Sequence, residues 1–169
     1  AMEGGIRVPL VIAGPGIESM TESTVPVSGS DLLPTITALA GDLPKKLDEI
    51  DGGSFKHLLL QESNDAIARS VDGLFFHVPY QNGIAFKRAH SAVRKGDMKL
   101  IRFHDNGELQ MYNVVQDKME MHNLSDSLPS IALEMEKTLL DYLKSVHAPK
   151  WKEGITWKEK PLSEFNSTY

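Results

Sequence analysis

The sequence predicts a mixed α/β chain: the last part of a large mixed-sheet α/β domain, then a small antiparallel sheet of about four strands covered by a carboxy-terminal helix. Three observations carry this. The run Val8 to Ala13 is apolar without alternation, as in a strand covered on both faces. From Leu74 onward, short aromatic and β-branched segments are separated by tight-turn sequences at Lys95-Gly96-Asp97 and Asp105-Asn106-Gly107. Last, Ile131, Met135, Leu139, Leu143 and Val146 recur at helical spacing.

The elements follow in order. Glu3-Gly4-Gly5-Ile6-Arg7-Val8-Pro9 leads into Leu10-Val11-Ile12-Ala13 and stops at Gly14-Pro15-Gly16. A strand of this kind needs parallel neighbours joined by strand-helix-strand crossovers, and no second such unit follows. Its partners are therefore expected before Ala1, with the chain the carboxy-terminal piece of a longer protein. Ser30 is predicted to cap a helix that turns Leu32, Leu33, Ile36, Leu39 and Ala40 toward a sheet, with Pro34 in its first turns and Gly41 as its stop. Residues 42–65 read as a loop with one helical turn around Phe55 and Leu58 to Leu60. The expected divisions are 1–65 for the α/β part, 66–148 for the sheet with its helix, and 149–169 for an irregular tail.

Strands are predicted at Leu74 to Val78, Ser91 to Arg94, Met98 to Phe103 and Leu109 to Val114. The basic residues Lys87-Arg88, Arg94-Lys95 and Lys99 are assigned to a solvated strand face. A helix from about Ser130 to Val146 then covers the sheet through its apolar stripe, with Glu134, Glu136, Lys137, Asp141 and Lys144 toward solvent. Ser127 is its expected cap, because Pro129 is tolerated only in the first turn.

Composition narrows the function. At 169 residues the chain is long enough for a real core, and its net charge of −5 argues against a nucleic-acid footprint. There is no apolar stretch long enough to span a membrane. With no cysteine, this stretch of chain has neither disulfides nor thiolate metal ligands. Asn123-Leu124-Ser125 and Asn166-Ser167-Thr168 fit the glycosylation sequon, a pattern short enough to arise by chance.

Several segments, in order, resemble the sulfatases of the alkaline-phosphatase-like superfamily, arylsulfatase-type members in particular. Glu3 to Pro9 is similar to their E-G-G-I-R-V-P segment, and Ser30-Asp31-Leu32-Leu33-Pro34-Thr35 to their D-L-x-P-T helix. Asp51-Gly52-Gly53-Ser54 resembles D-G-x-S, and Leu74 to Tyr80 an L-F-W-H-x-P strand. Ser91 to Ile101 resembles an S-A-I-R-x-G-D-W-K-L-I hairpin, and Met111 to Leu124 an L-Y-N-L…D…E…N-L segment. The resemblance implies a sulfuric ester hydrolase acting on a sulfated carbohydrate or aryl substrate. It further implies a formylglycine nucleophile, calcium, and a periplasmic or secreted location. No nucleophile motif occurs here, and the nucleophile, the metal ligands and a nearby catalytic Lys are expected upstream of Ala1. The isolated chain is accordingly expected to be inactive.

Within this sequence, His77, Arg88 and His90 are the candidate substrate-binding residues. His77 ends an aromatic strand where the backbone leaves the sheet, and loops leaving a rigid sheet collect ligand contacts; the resemblance places this loop beside the sulfate site. The bland alternatives are a histidine bonded to a backbone carbonyl, and ordinary surface positions for Arg88 and His90. Glu3 and Arg7 read as an ion pair fixing the strand's entry. His104, Asp105 and Asn106 read as turn residues rather than a metal cluster. Asp117, Glu120 and His122 read as turn residues before the final helix.

Two rival readings stay open at this level. One is a phosphatase or phosphonate hydrolase of the same superfamily. The other is a non-catalytic carbohydrate-binding or interaction module, which requires Phe75, Phe86, Trp151 and Trp157 to form an exposed platform. The bare edge of the Val8 to Ala13 strand leads to one more expectation: self-association around Ile6, Leu10 and Ile12.

Overall fold

Four antiparallel strands in sequential order form the centre of the carboxy-terminal part: β1 (Leu74–Val78), β2 (His90–Lys95), β3 (Met98–Phe103) and β4 (Leu109–Asn113). The computed structural model describes residues 1–41, 50–81 and 88–150. The chain divides into two compact units, one made of Ala1–Val8 with the chain from Gly73 onward, the other of Pro9–Asp72.

The turns set the register of the sheet unit. Gly96, at φ 56°, reverses the chain between β2 and β3, and Gly107, at φ 75°, does so between β3 and β4. Both are left-handed conformations that glycine adopts without the Cβ penalty. Asn106 Oδ1 accepts from the Glu108 N–H at 2.9 Å, the local bond that makes Asn a turn former. The resulting pairs include His77 with Ser91, Val78 with His90, Arg94 with Lys99, and Lys99 with Tyr112.

Both faces of this sheet are covered. On one, Val93, Leu100 and Met111 pack against Ala132, Met135, Leu139 and Leu143 of α4 (Pro129–Ser145). Met135, Leu139 and Leu143 are buried as expected, and the stripe differs at its ends, where Ala132 is buried while Ile131 and Val146 are exposed. The helix starts with Leu128 at the cap position and Pro129 first, so Ser127 is not the cap. On the other face, Ala92, Ile101, Phe103, Tyr112 and Val114 receive Ala1 and Met2, ahead of the single turn α1 (Glu3–Ile6).

The second unit departs further from expectation. Val8 to Ala13 forms no strand. Val8 and Val11 stand in solvent, while Ile12 tucks against Phe55, Leu58 and Ile67. An apolar run becomes a strand only where ladder partners meet its backbone, and none does so among the described residues. A short 3-10 turn (Gly29–Asp31) precedes α2 (Leu32–Leu39), and α3 (Lys56–Leu59) is the expected single helical turn. In α2 the expected orientation is reversed. Pro34 and Thr35 are buried, whereas Leu32, Leu33, Ile36 and Leu39 are exposed.

The reason for the reversal is Asp31. Its buried carboxylate accepts from the Ser28 N–H at 2.6 Å, the Gly53 N–H at 2.9 Å, and Arg69 Nε and Nη2 at 2.8 and 2.7 Å. Thr35 Oγ1 extends the set by accepting from the Phe55 N–H at 2.9 Å. These bonds hold the Asp31–Thr35 side of the helix inward. Gly52 and Gly53 complete the fit, since a Cβ on either would lie 2.0 Å from a backbone oxygen, of Ser30 or Ala68.

Candidate functional site

The candidate residues meet at one end of the sheet. His77 on β1 lies across from Ser91 on β2, and the helix-covered face carries both; His90, one residue earlier on β2, points to the opposite face. Arg88 precedes β2, and His104 follows β3, its N–H bonded to the Ala89 carbonyl at 3.0 Å.

Each ring at this end is held. His77 Nδ1 is 2.6 Å from Ser91 Oγ and its Nε2 is 2.7 Å from the Pro149 carbonyl. Ser91 Oγ is also 2.8 Å from His104 Nε2, and the His77 and His104 rings meet edge to face at 5.6 Å. His90 Nδ1 donates to the Arg88 carbonyl at 2.8 Å, and its Nε2 is 2.5 Å from the Ala1 amino nitrogen. Burial lowers the pKa of all three histidines. For His104, burial together with the nearby His77, Arg102 and His90 brings it down to about 4.

Arg88 is fully engaged. It donates to both oxygens of Asp105 at 2.7 Å and to Glu108 Oε2 at 3.0 Å and Asn106 Oδ1 at 2.8 Å, with its guanidinium 3.9 Å over the Phe103 ring. Its bond to Asp105 raises its pKa further, and Arg88 in turn lowers those of Asp105 and Glu108. Asp105 and Asn106 therefore act as turn residues, whereas the His104 ring turns back to Ser91 and His77.

A second cluster escaped the sequence reading. Lys99, placed on a solvated face, is fully buried. Its ammonium donates to the Ala1 carbonyl at 2.8 Å and Glu3 Oε1 at 3.0 Å, and contacts Glu120 Oε1. Glu120 Oε2 accepts the Glu3 N–H at 2.7 Å, and Arg94 lies 3.8 Å from Glu3. Glu3 is thus paired with Lys99 and Arg94 rather than with the exposed Arg7, and Glu120 is a buried partner rather than a solvated turn residue. The signal lay in β3, where neighbouring Leu100 and Ile101 are both apolar. A strand covered on both faces has no solvated side for Lys99.

Among the described residues, no group of three His, Asp or Glu side chains could hold a metal ion. The buried or clustered carboxylates are committed to cations: Glu3 and Glu120 to Lys99, Asp31 to Arg69, and Asp105 and Glu108 to Arg88. Phe75 stacks on Tyr142 with ring centres 3.8 Å apart and packs on the core, not in an exposed platform. Phe86, Trp151 and Trp157 lie outside the described residues.

A meander of four antiparallel strands with α4 packed on one face and the amino-terminal turn on the other is the architecture of a sulfatase carboxy-terminal region. The solved structure of BT4656 in complex with its substrate D-glucosamine-2-N,6-O-disulfate has this fold, with a TM-score of 0.54 and 26% identity over 73% of this chain and 25% of that one. Arylsulfatase K of Danio rerio is 28% identical over 93% of this chain and 31% of its own length. A sulfatase of Formosa agariphila is 31% identical over 87% of this chain and 29% of its own. The family model for N-sulphoglucosamine sulphohydrolase, C-terminal, matches residues 1–148, and the chain belongs to that family. It spans roughly a third of the length of these curated relatives.

Proposed function

We propose that the intact protein is a sulfatase, a sulfuric ester hydrolase acting on a sulfated carbohydrate or aryl substrate, and that this region supplies walls of its substrate pocket. The observation that carries the reading is the family match over residues 1–148, with relatives named as sulfatases. In this reading the sheet end bearing His77, Arg88 and His90 faces the substrate. The substrate of BT4656 makes a sulfated glucosamine the first compound to test. Calcium and the formylglycine nucleophile would be supplied by chain outside this sequence, a reading supported by the absence of a nucleophile motif here and by the pairing of Glu3, Glu120, Asp31, Asp105 and Glu108 with Lys and Arg. An extracellular or periplasmic site of action completes the reading, and cell fractionation checks it.

The test uses the intact protein. Sulfate release from D-glucosamine-2-N,6-O-disulfate and from 4-nitrophenyl sulfate is measured beside phosphate release from 4-nitrophenyl phosphate. Sulfate release is expected to dominate. Phosphate release in excess would instead favour the phosphatase of the same superfamily.

The 169-residue chain on its own is proposed to be inactive and to self-associate through apolar surface of the Pro9–Asp72 unit, where Val11 and Ile36 are exposed.

A further inference from the structure

The hydrogen bonds around Ser91 determine which nitrogen of each ring carries a proton. Pro149 offers only a carbonyl, so His77 Nε2 must donate to it, at 2.7 Å. A neutral His77 then has a bare Nδ1, which accepts the Ser91 hydroxyl at 2.6 Å. With its own proton spent, Ser91 Oγ accepts from His104 Nε2 at 2.8 Å. The chain runs one way, from His104 through Ser91 to His77 and on to the Pro149 carbonyl. It ties β1, β2 and the β3–β4 turn to the backbone that follows α4.

We propose that His77, Ser91 and His104 form an acid-sensitive clasp, closed while both rings are neutral, that fastens the segment after α4 to the end of the sheet. A proton added to His77 Nδ1 turns an acceptor into a donor. Ser91 Oγ would then face two N–H donors, and its own hydroxyl proton would lose its acceptor in a site with no solvent exposure. Leaving a buried donor unsatisfied carries the full desolvation cost. The second ring, 5.6 Å away, adds charge repulsion once it too is protonated.

At His77 burial opposes protonation and outweighs the Pro149 bond, which favours it; at His104 burial and then the His77 charge oppose it. His90 and Arg102 disfavour a charge on His104, and Asp105 favours it. Asp105 is already held by Arg88, and Arg102 by Glu136 of α4 at 2.8 Å. On the clasped segment, His147 and Lys150 are exposed. The sign follows from linkage. A histidine whose pKa is depressed in the closed form and ordinary, near 6.5, in the open form keeps the clasp shut above that value. Closure weakens as pH falls from there toward the depressed values, about 4 for His104.

Elsewhere in the segment, Pro149 lies in a β-bridge, the Ala148 N–H bonds to the Leu143 carbonyl at 2.9 Å, and the Ala148 side chain is buried. Hydrogen exchange of peptides covering residues 144–150, in the intact protein and corrected for intrinsic rates, reads its opening. Wild type is expected to exchange at least tenfold faster at pH 5 than at pH 7.5. In His77→Gln the amide nitrogen can still reach the Pro149 carbonyl but has no proton to gain in this range, so the acid response should shrink to less than threefold. NMR titration of the His77 and His104 ring signals in the wild-type protein gives an independent reading. Their midpoints are expected below 6.5, coinciding with the rise in exchange. Exchange that does not change between pH 7.5 and 5, a full acid response kept in His77→Gln, or ring midpoints at or above 6.5 would overturn the clasp. None of these readouts depends on catalytic activity.

Discussion

Lys99 and Asp31 show how single buried charges hold each unit together. Lys99 has no contact with solvent and meets Glu3, Glu120 and the Ala1 carbonyl, so removing its ammonium leaves two carboxylates buried together. Lys99→Met is expected to lower stability by about 3–5 kcal/mol, the usual cost of breaking a buried ion pair from one side. A shift in the urea midpoint of the intact protein worth under about 1 kcal/mol would contradict this. For Asp31, burial favours the neutral acid, but Arg69 and the Gly53 and Ser28 N–H groups outweigh it and lower the pKa. A depressed carboxylate contributes stability that is present above its ordinary value, near 3.9, and is lost as pH falls through the folded value. Asp31→Asn should therefore lie below wild type at pH 7 by about 3 kcal/mol. The gap should narrow as unfolding is followed from pH 5 down to pH 2, and a constant gap would show that Asp31 is not charged in the fold. Sequence reading placed Asp31 in a motif but not in its cage, because Arg69 and Gly53 reach it only through the fold.

At the level of elements, turns and strands were far more legible than helix faces. Gly96 and Gly107 stand where φ is positive, so the residue type itself announced the reversals. The strands between them follow almost to the residue. The α2 face was misplaced because an apolar stripe gives a direction only when one side is dry: the Asp31 and Thr35 bonds turned its apolar side outward. In α4 Met135, Leu139 and Leu143 are buried as expected, with Ala132 in place of Ile131 at the start. Substitution distinguishes the two faces of α4. Leu139→Ala, at a position with no exposure among Val93, Leu100 and Met111, should cost about 2–5 kcal/mol, whereas Ile131→Ala should cost less than about 1 kcal/mol. Equal losses, measured by chemical unfolding, would mean that α4 packs through a different face. The strand expected at Val8 to Ala13 failed for a related reason: a run of apolar residues states a preference for burial, and the partners that would make it a strand are not local.

For the molecule as a whole, the family was legible because its turn and anchor sequences recur in order along the chain, whereas the site was only half legible. His77, Arg88 and His90 do gather at one sheet end, yet Ser91, which bonds the His77 ring, was read only as the start of a hairpin motif, and His104, which bonds Ser91, only as a turn residue. The exposed apolar surface of the Pro9–Asp72 unit leads to the last prediction. Leu33, Ile36 and Val11 are 56%, 61% and 90% exposed, an arrangement that costs free energy in water unless another surface covers it. In the 169-residue chain alone the available cover is another copy, so sedimentation should show mass rising with concentration. Ile12 is the wrong place to probe this, since it packs on Phe55, Leu58 and Ile67, and a charge there would unfold the unit rather than separate copies. Val11→Lys and Ile36→Lys leave that core untouched and should each give more monomer at equal concentration, with the double variant monomeric. A wild-type chain that stays monomeric at high concentration, or an association indifferent to both substitutions, would show that these side chains are tolerated in water and do not drive contact between copies.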